Sequence, residues 1–340
     1  MANLAYYIEM AKKLHPVKAG PRAWNYLKYK SLKREAQTRV SRYTPQIAQI
    51  LVTKRCNLDC GYCAAGKIMK EGIVDWKKSE ATLENTKKVF ENKLFANAIL
   101  VDLLGGEPLL VKEFDLIVAY LTEQGYLTNT STNGTKLWER IKDLKQAGIS
   151  RINLSYYDVN RDILENDLAR VNQVFPVHMS YVLVRSEVEN QPEKILEMAR
   201  FCKQSGSKSI RFWSYRPMGD DKQVSEIIAE GSGAFLDLKQ RIDKELPGFS
   251  IWPVEVKREN VEKRCPQLWQ RVGADPMGEI SICCGIDEPL RGENSNLFDA
   301  GPDVVFNHPT LVEMRRQLID KNSPPPDVCK SCNLLGDPGW

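Results

Sequence analysis

Between residues 46 and 218 the chain alternates two hydrophobic patterns. Short stretches with apolar residues at every second position, or in continuous runs, occur at Ile47–Val52, Ala98–Leu104, Leu127–Thr132, Arg151–Tyr156, Val177–Val184 and Ser209–Ser214. That period predicts strands. Helical spacing fills the intervals near 80–93, 112–124, 136–147, 160–174 and 191–205. Six strands alternating with helices predict parallel βαβ units. The fourth strand puts Ile152 and Leu154 on one face and Asn153 and Ser155 on the other. Apolar residues under helices and polar ones facing a lumen predict an α/β fold, a partial (β/α)6 barrel whose interior holds ligands. The site of such a fold lies at the C-terminal ends of its strands.

The flanks read differently. Residues 3–14 and 22–40 have helical spacing with aromatics among basic residues, and 223–245 reads as one amphipathic helix. From Cys265 onward, short strands and turns rich in Pro, Gly and Asp dominate. This divides the 340 residues into a basic helical extension (1–45), the barrel (46–218), a linking helix region (219–263) and a small C-terminal domain (264–340). No run of 18 apolar residues predicts a membrane span, and the N-terminus has no apolar run fit for secretion. A cytoplasmic protein is expected.

The net charge of +4 is unevenly spread. Residues 1–43 carry ten lysines and arginines against two glutamates, +8, so the remainder carries −4. That balance gives no case for nucleic-acid binding. The stretch around Trp24 fits either peripheral contact with an anionic membrane or a solvated helix packing its aromatics on the barrel.

Nine cysteines in a reducing compartment point to metal ligation rather than disulfides. Cys56, Cys60 and Cys63 follow the first strand directly. Cys265, Cys283, Cys284, Cys329 and Cys332 cluster near the C-terminus. Cys202 stands beside Ala199 at helical spacing and reads as core. Three thiolates in a short loop can hold three irons of a cubane and leave the fourth open; three zinc ligands completed elsewhere are the bland alternative.

The spacing C-x3-C-x2-C, with Tyr62 before the last cysteine, resembles the radical S-adenosylmethionine (SAM) superfamily. Further matches lie at later strand ends: Gly105-Gly106-Glu107-Pro108, then Ser131-Thr132-Asn133-Gly134, then Ser155-Tyr156-Tyr157-Asp158. The resemblance implies a SAM-binding [4Fe–4S] cluster on Cys56, Cys60 and Cys63, and a flavodoxin- or ferredoxin-type electron donor. It implies SAM contacts from Tyr62, Gly105, Gly106, Glu107, Pro108, Ser131, Asn133 and Ser155. Tyr62 would lie near the adenine, and the Gly-Gly-Glu-Pro edge near the methionine amino group. Paired glycines are expected where a ligand approaches the backbone closely.

The later cysteines read C-x12-G-x4-C from Cys265 through Gly278 to Cys283, then Cys329-x2-Cys332. This resembles the SPASM/twitch subgroup in its shorter twitch form, because no cysteine follows Cys332. The resemblance implies a second, auxiliary [4Fe–4S] cluster on Cys265, Cys283, Cys329 and Cys332, with electron transfer as its task. Tetrahedral zinc suits the same four thiols. Cys284 is a spare: an alternative ligand, a hydrogen-atom donor or a small buried residue.

On the sixth strand Ile210 and Phe212 are expected under helices, with Arg211, Trp213 and Tyr215 pointing into the lumen. His178 faces the lumen by the same alternation. A slip of one residue would reverse all of them. Three functions compete. The first is two-electron oxidation of a small polar metabolite, carbohydrate- or aminocyclitol-like, as twitch-type dehydrogenases perform. The second is maturation of a ribosomal peptide substrate by crosslinking or epimerisation. The third is a non-catalytic metal scaffold.

Overall fold

The computed structural model describes residues 16–31, 43–60, 63, 80–215, 225–252, 265–283, 286–320, 322–330, 332 and 335. It begins with α1 (Pro16–Ser31). Then β1 (Ile47–Thr53), β2 (Leu100–Gly105), β3 (Leu127–Thr132), β4 (Arg151–Ser155), β5 (His178–Leu183) and β6 (Ser209–Ser214) follow the predicted order. Helices α2 (Leu83–Glu91), α3 (Phe114–Glu123), α4 (Leu137–Gln146), α5 (Arg161–Val174), α6 (Arg185–Asn190) and α7 (Pro192–Gln204) connect them. All six strands run parallel to their neighbours. Helix α8 (Gly233–Glu245) leads to β7 (Ser250–Ile251), which extends the parallel set beside β6.

The two faces of the sheet are chemically distinct. Ile50, Leu103, Ile152, Met179, Ile210 and Phe212 lie on one face and are buried. They pack under helix positions such as Val89, Ile117, Ile141, Leu168 and Ile195 in one continuous core. Each such side chain contributes about 1.5–3 kcal/mol when fully buried. The other face carries Asp102, Asn129, Arg151, Asn153, His178, Ser180, Arg211 and Trp213. The register confirms one shared side, with Asp102 opposite Asn129, Asn153 opposite His178 and Ser180 opposite Arg211. The predicted alternation of β4 and β6 therefore holds, and no slip reverses it.

Four features depart from the sequence reading. Helix α1 begins at Pro16 and continues through Pro21, across residues that the pattern left between two helices. Its docked face explains why: Arg22, Asn25 and Tyr29 are buried one turn apart. Residues 3–14 and 32–40 lie outside the described residues. The helix expected over 223–245 begins only at Gly233, because Gly231 takes φ +80° and the Ser232 hydroxyl caps Phe235 N–H. β7 was not foreseen, being only two residues long.

The fourth departure concerns the C-terminal part. After α9 (Gln267–Gln270) come β8 (Arg271–Ala274), β9 (Ile280–Cys283) and β10 (Ile286–Pro289), then α10 (Pro302–Phe306) and α11 (Pro309–Ile319). These strands do not form a sheet of their own. β8 pairs in parallel with β1, giving the order β10-β9-β8-β1-β2-β3-β4-β5-β6-β7. β8 covers the otherwise open edge of β1, and β9 and β10 continue antiparallel.

Candidate active site

The first cysteine group hangs on the end of β1. Its backbone is sewn to the end of β2: Gly106 N–H donates to Thr53 O at 2.8 Å, and Glu107 N–H to Arg55 O at 2.7 Å. This contact explains the paired glycines. A Cβ on Gly105 would stand 2.2 Å from Thr53 O, and one on Gly106 2.2 Å from Arg55 O. The close approach that they permit here is that of the cysteine loop. Arg55 braces the loop from below, donating to Leu110 O at 2.7 Å and pairing with Glu80 at 2.9 Å.

Glu107 is fully buried. Its carboxylate accepts from Leu109 N–H at 3.0 Å, the Thr132 hydroxyl at 2.6 Å and Asn133 N–H at 2.6 Å. Burial pushes its pKa up, and the three donors pull it back. Its side chain is thus a strut joining the ends of β2 and β3, with Pro108 starting a short 3-10 turn behind it. The Asn133 side chain continues the stitching toward the cysteines. Its amide donates to Asn57 Oδ1 at 2.9 Å and lies 3.8 Å from Cys56 Sγ. Asn160 ties the next strand in, donating to Asn133 O at 2.6 Å and Ser155 O at 2.9 Å. Ser131 lies on the lumen face of β3, opposite Asn153.

Cys56 and Cys60 are half-buried and Cys63 is exposed. Burial, then the neighbouring Cys63 and Cys56, push the Cys60 thiol up to about 11. Burial raises the Cys56 thiol too, while Leu58 N–H, at 3.5 Å from its sulfur, opposes the rise. Three thiols in one loop that feel one another's charge, with N–H groups turned to one sulfur, suit a cluster bound by thiolates. Among the described residues no three His, Cys, Asp or Glu side chains converge tightly enough to hold a single metal ion. Tyr62 and Cys284 lie outside the described residues.

A cavity of about 380 Å³ opens beside Cys60, at the C-terminal ends of β4 and β5. Asp59, Tyr157, Val182, Glu187 and Lys194 contribute to its wall. Lys194 bridges Asp158 at 2.9 Å and Glu187 at 3.0 Å, and the Tyr181 hydroxyl donates to Glu187 at 2.6 Å. Tyr157 lines this cavity, whereas the sequence offers it only as part of its motif. Burial pushes its phenol up to about 12, against a hydrogen bond to Ser155, and all three cysteines add to the rise. The available signal was its place two residues beyond the polar alternation of β4.

The lumen carries a connected polar array. Asp102 accepts from Asn129 at 2.7 Å, Asn129 from Asn153 at 2.9 Å, and Asn153 from Arg151 at 2.9 Å. Arg271 on β8 stands 3.7 Å from Asp102. Burial raises the Asp102 pKa, with Arg271 and Asn129 opposing. His178 Nδ1 meets the Ser209 hydroxyl at 2.8 Å, and Trp213 Nε1 donates to Ser180 at 2.9 Å with the Arg211 guanidinium over its ring. Arg211, Trp213 and His178 thus lie on the predicted face. Tyr215 follows β6 and is buried.

The later cysteines are placed less compactly. Cys265 precedes α9, Cys283 ends β9, and Cys329 is buried in a 3-10 turn whose carbonyl accepts Cys332 N–H at 3.1 Å. Cys265 and Cys283 both pack against the core. Gly278 has φ +79° in the β8–β9 turn, where a Cβ would meet Asn296 at 2.5 Å. Its place in the motif is therefore a turn requirement.

The Radical SAM superfamily profile matches residues 50–228, and this chain belongs to that superfamily. It is an enzyme of the radical SAM class. The GTP 3',8-cyclase of Corynebacterium glutamicum is 26% identical over 272 residues, 72% of this chain and 67% of that protein. That of Clostridium botulinum is 24% identical over 313 residues, covering 81% and 93%. Among solved structures, Streptococcus suis SuiB bound to S-adenosylmethionine superposes with a TM-score of 0.62 at 15% identity, covering 86% of this chain and 72% of SuiB. SuiB bound to its precursor peptide SuiA gives 0.62 at 14%, covering 86% and 70%. These likenesses establish the fold. No helix among the described residues is long and apolar enough to cross a membrane.

Proposed function

We propose that Cys56, Cys60 and Cys63 hold a [4Fe–4S] cluster that binds SAM, and that a small polar metabolite undergoes a two-electron oxidation in the lumen. One observation carries this reading: a three-cysteine loop, fixed to the Gly105–Gly106 edge, stands at the rim of a lumen lined by hydrogen-bonding side chains. When bound, the cluster and SAM together supply a 5′-deoxyadenosyl radical that takes a hydrogen atom from the substrate. The chain's own residues bind and orient. Asn133 and Leu58 N–H temper the charge on the Cys56 sulfur. Tyr62, Ser131, Asn133, Ser155 and the Gly105–Pro108 backbone are the SAM contacts, with Glu107 holding that edge in place. Arg211, Trp213 and His178 are the substrate contacts nearest to hand.

Cys265, Cys283, Cys329 and Cys332 are assigned to an auxiliary [4Fe–4S] cluster. With four thiolate ligands it would relay electrons rather than bind substrate, and a flavodoxin- or ferredoxin-type protein would reduce the first cluster. Peptide maturation is the second reading, favoured by the likeness to SuiB, which binds a precursor peptide. A short precursor-peptide gene beside this one would favour it; sugar-modifying genes would favour the metabolite.

The test is anaerobic reconstitution. About eight irons per chain are expected, four per cubane, and about four when Cys56, Cys60 and Cys63 are all changed to Ala. Reduced protein should release 5′-deoxyadenosine and methionine from SAM even without substrate. Stoichiometric zinc with little iron would end the two-cluster reading. Release of methylthioadenosine alone would end the adenosyl-radical reading.

A further inference from the structure

Helix α1 closes the end of the barrel opposite the cysteine loop. The Arg22 guanidinium is buried, donates to the carbonyls of Gly125 and Gln124 just before β3, and lies 4.4 Å from the Tyr126 ring centre. Asn25 exchanges two hydrogen bonds with the Thr44 backbone, both at 3.0 Å, ahead of β1. The Tyr29 hydroxyl accepts from Gln270, the residue before β8. Each anchor sits at the N-terminal end of a strand, whereas the cysteines follow the C-terminal end of β1.

With Arg22, Asn25 and Tyr29 fixing one side, helical geometry points Trp24 and Leu27 straight outward. Trp24 is 61% exposed and Leu27 55% exposed. Lys28 flanks them on one side, 5.9 Å from the Trp24 ring centre, and Lys30 lies on the other side near Tyr26. The sixteen-residue helix contains Lys18, Arg22, Lys28 and Lys30 and no acidic residue.

We propose that α1 is a peripheral anchor that seats the closed end of the barrel on an anionic lipid surface. An outward Trp and Leu between lysines is the pattern of a helix lying at a membrane interface. The charge complements anionic headgroups, and a wholly basic helix attracts them over a Debye length. A second copy of the chain is a poorer occupant. Two large side chains offer far less than the roughly 800 Å² per partner that a stable protein interface uses. Seated this way, the enzyme turns the mouth of its barrel away from the lipid, so the anchor governs location rather than chemistry. The proposal does not depend on the reading of either cysteine group.

Full-length protein should sediment with vesicles containing phosphatidylglycerol and not with vesicles of phosphatidylcholine alone, and high salt should release it. Changing Trp24→Ser together with Leu27→Ser should weaken vesicle binding about tenfold or more, since binding scales with the apolar area inserted. Lys28→Glu should weaken it too. Both variants should keep the wild-type melting temperature and iron content, which separates lost binding from lost fold. Equal sedimentation with both vesicle types would overturn the proposal. So would wild-type binding by the double variant, or a double variant that turns from dimer to monomer in light scattering with unchanged vesicle binding.

Discussion

Glu107 illustrates how one buried carboxylate decides what its motif does. Its three donors are buried with it, so removing the acceptor leaves them without partners. Each buried donor so orphaned costs about 1–3 kcal/mol. Glu107→Ala should therefore lower unfolding stability by roughly 3 kcal/mol or more, and Glu107→Gln, which keeps one acceptor oxygen, by less. Urea unfolding of the apo protein checks this. A stable Glu107→Ala protein that has lost SAM binding would instead make the carboxylate a ligand contact. Gly106→Ala drives a Cβ into the Arg55 carbonyl, with the backbone on both sides fixed. It should cost the iron of the first cysteine group while sparing that of the second, as iron analysis would detect. Asp102 carries a pH signature. Its pKa is raised in the folded state, so its contribution is full below the unfolded carboxylate value near 4. It is lost as the pH rises through the folded value. Wild type should lose stability relative to Asp102→Asn as pH is raised from about 4 toward neutrality. A pH-independent difference would mean that Arg271 and the asparagines fully offset burial. Sequence exposed the motif residues here but not their roles. Paired glycines look alike whether a ligand or the chain itself comes close, and the approach of the Thr53–Arg55 backbone is visible only in the fold.

Among the elements, the six parallel strands and their connecting helices were legible because each strand buries one face. The alternation that writes Ile152 and Leu154 against Asn153 and Ser155 is the same force that fixes the register. β7, and the place of β8 beside β1, were not legible. Four residues or fewer carry too little periodicity, and what makes Arg271–Ala274 a strand is the open edge of β1, far away in sequence. The start of α8 failed for a local reason, since the helical spacing ran on through Gly231, whose left-handed turn breaks the helix. The turn at Cys329 and Cys332 gives the element-scale prediction. If these cysteines ligate the auxiliary cluster, Cys329→Ala should drop the iron content from about eight to about four and leave deoxyadenosine release largely intact. The variant needs a folding check, because Cys329 is buried and metal sites also hold small elements folded. A folded Cys329→Ala protein with full iron would remove this cysteine from the ligand set.

At the scale of the molecule, the sheet binds the C-terminal part into the barrel. β8 supplies the neighbour of β1, Arg271 reaches Asp102 in the lumen, and Gln270 meets Tyr29 on α1. The buried Arg315 guanidinium of α11 donates to Leu268 O and lies 4.6 Å from the Phe306 ring centre. A chain ended after residue 263 would lose all of these together. It would bare the edge of β1, leave Asp102 without Arg271, and open the apolar surface beneath Val272 and Ala274. An exposed edge of that kind invites pairing with other chains. The truncated protein should aggregate or lack a cooperative transition, whereas the full apo chain should unfold in one step across this boundary. Urea unfolding followed by tryptophan fluorescence and by circular dichroism reads both. Coincident curves are expected for the full chain. Two separated transitions, or a soluble 1–263 chain with a cooperative transition, would make the C-terminal part an independent domain attached only through its strand edge.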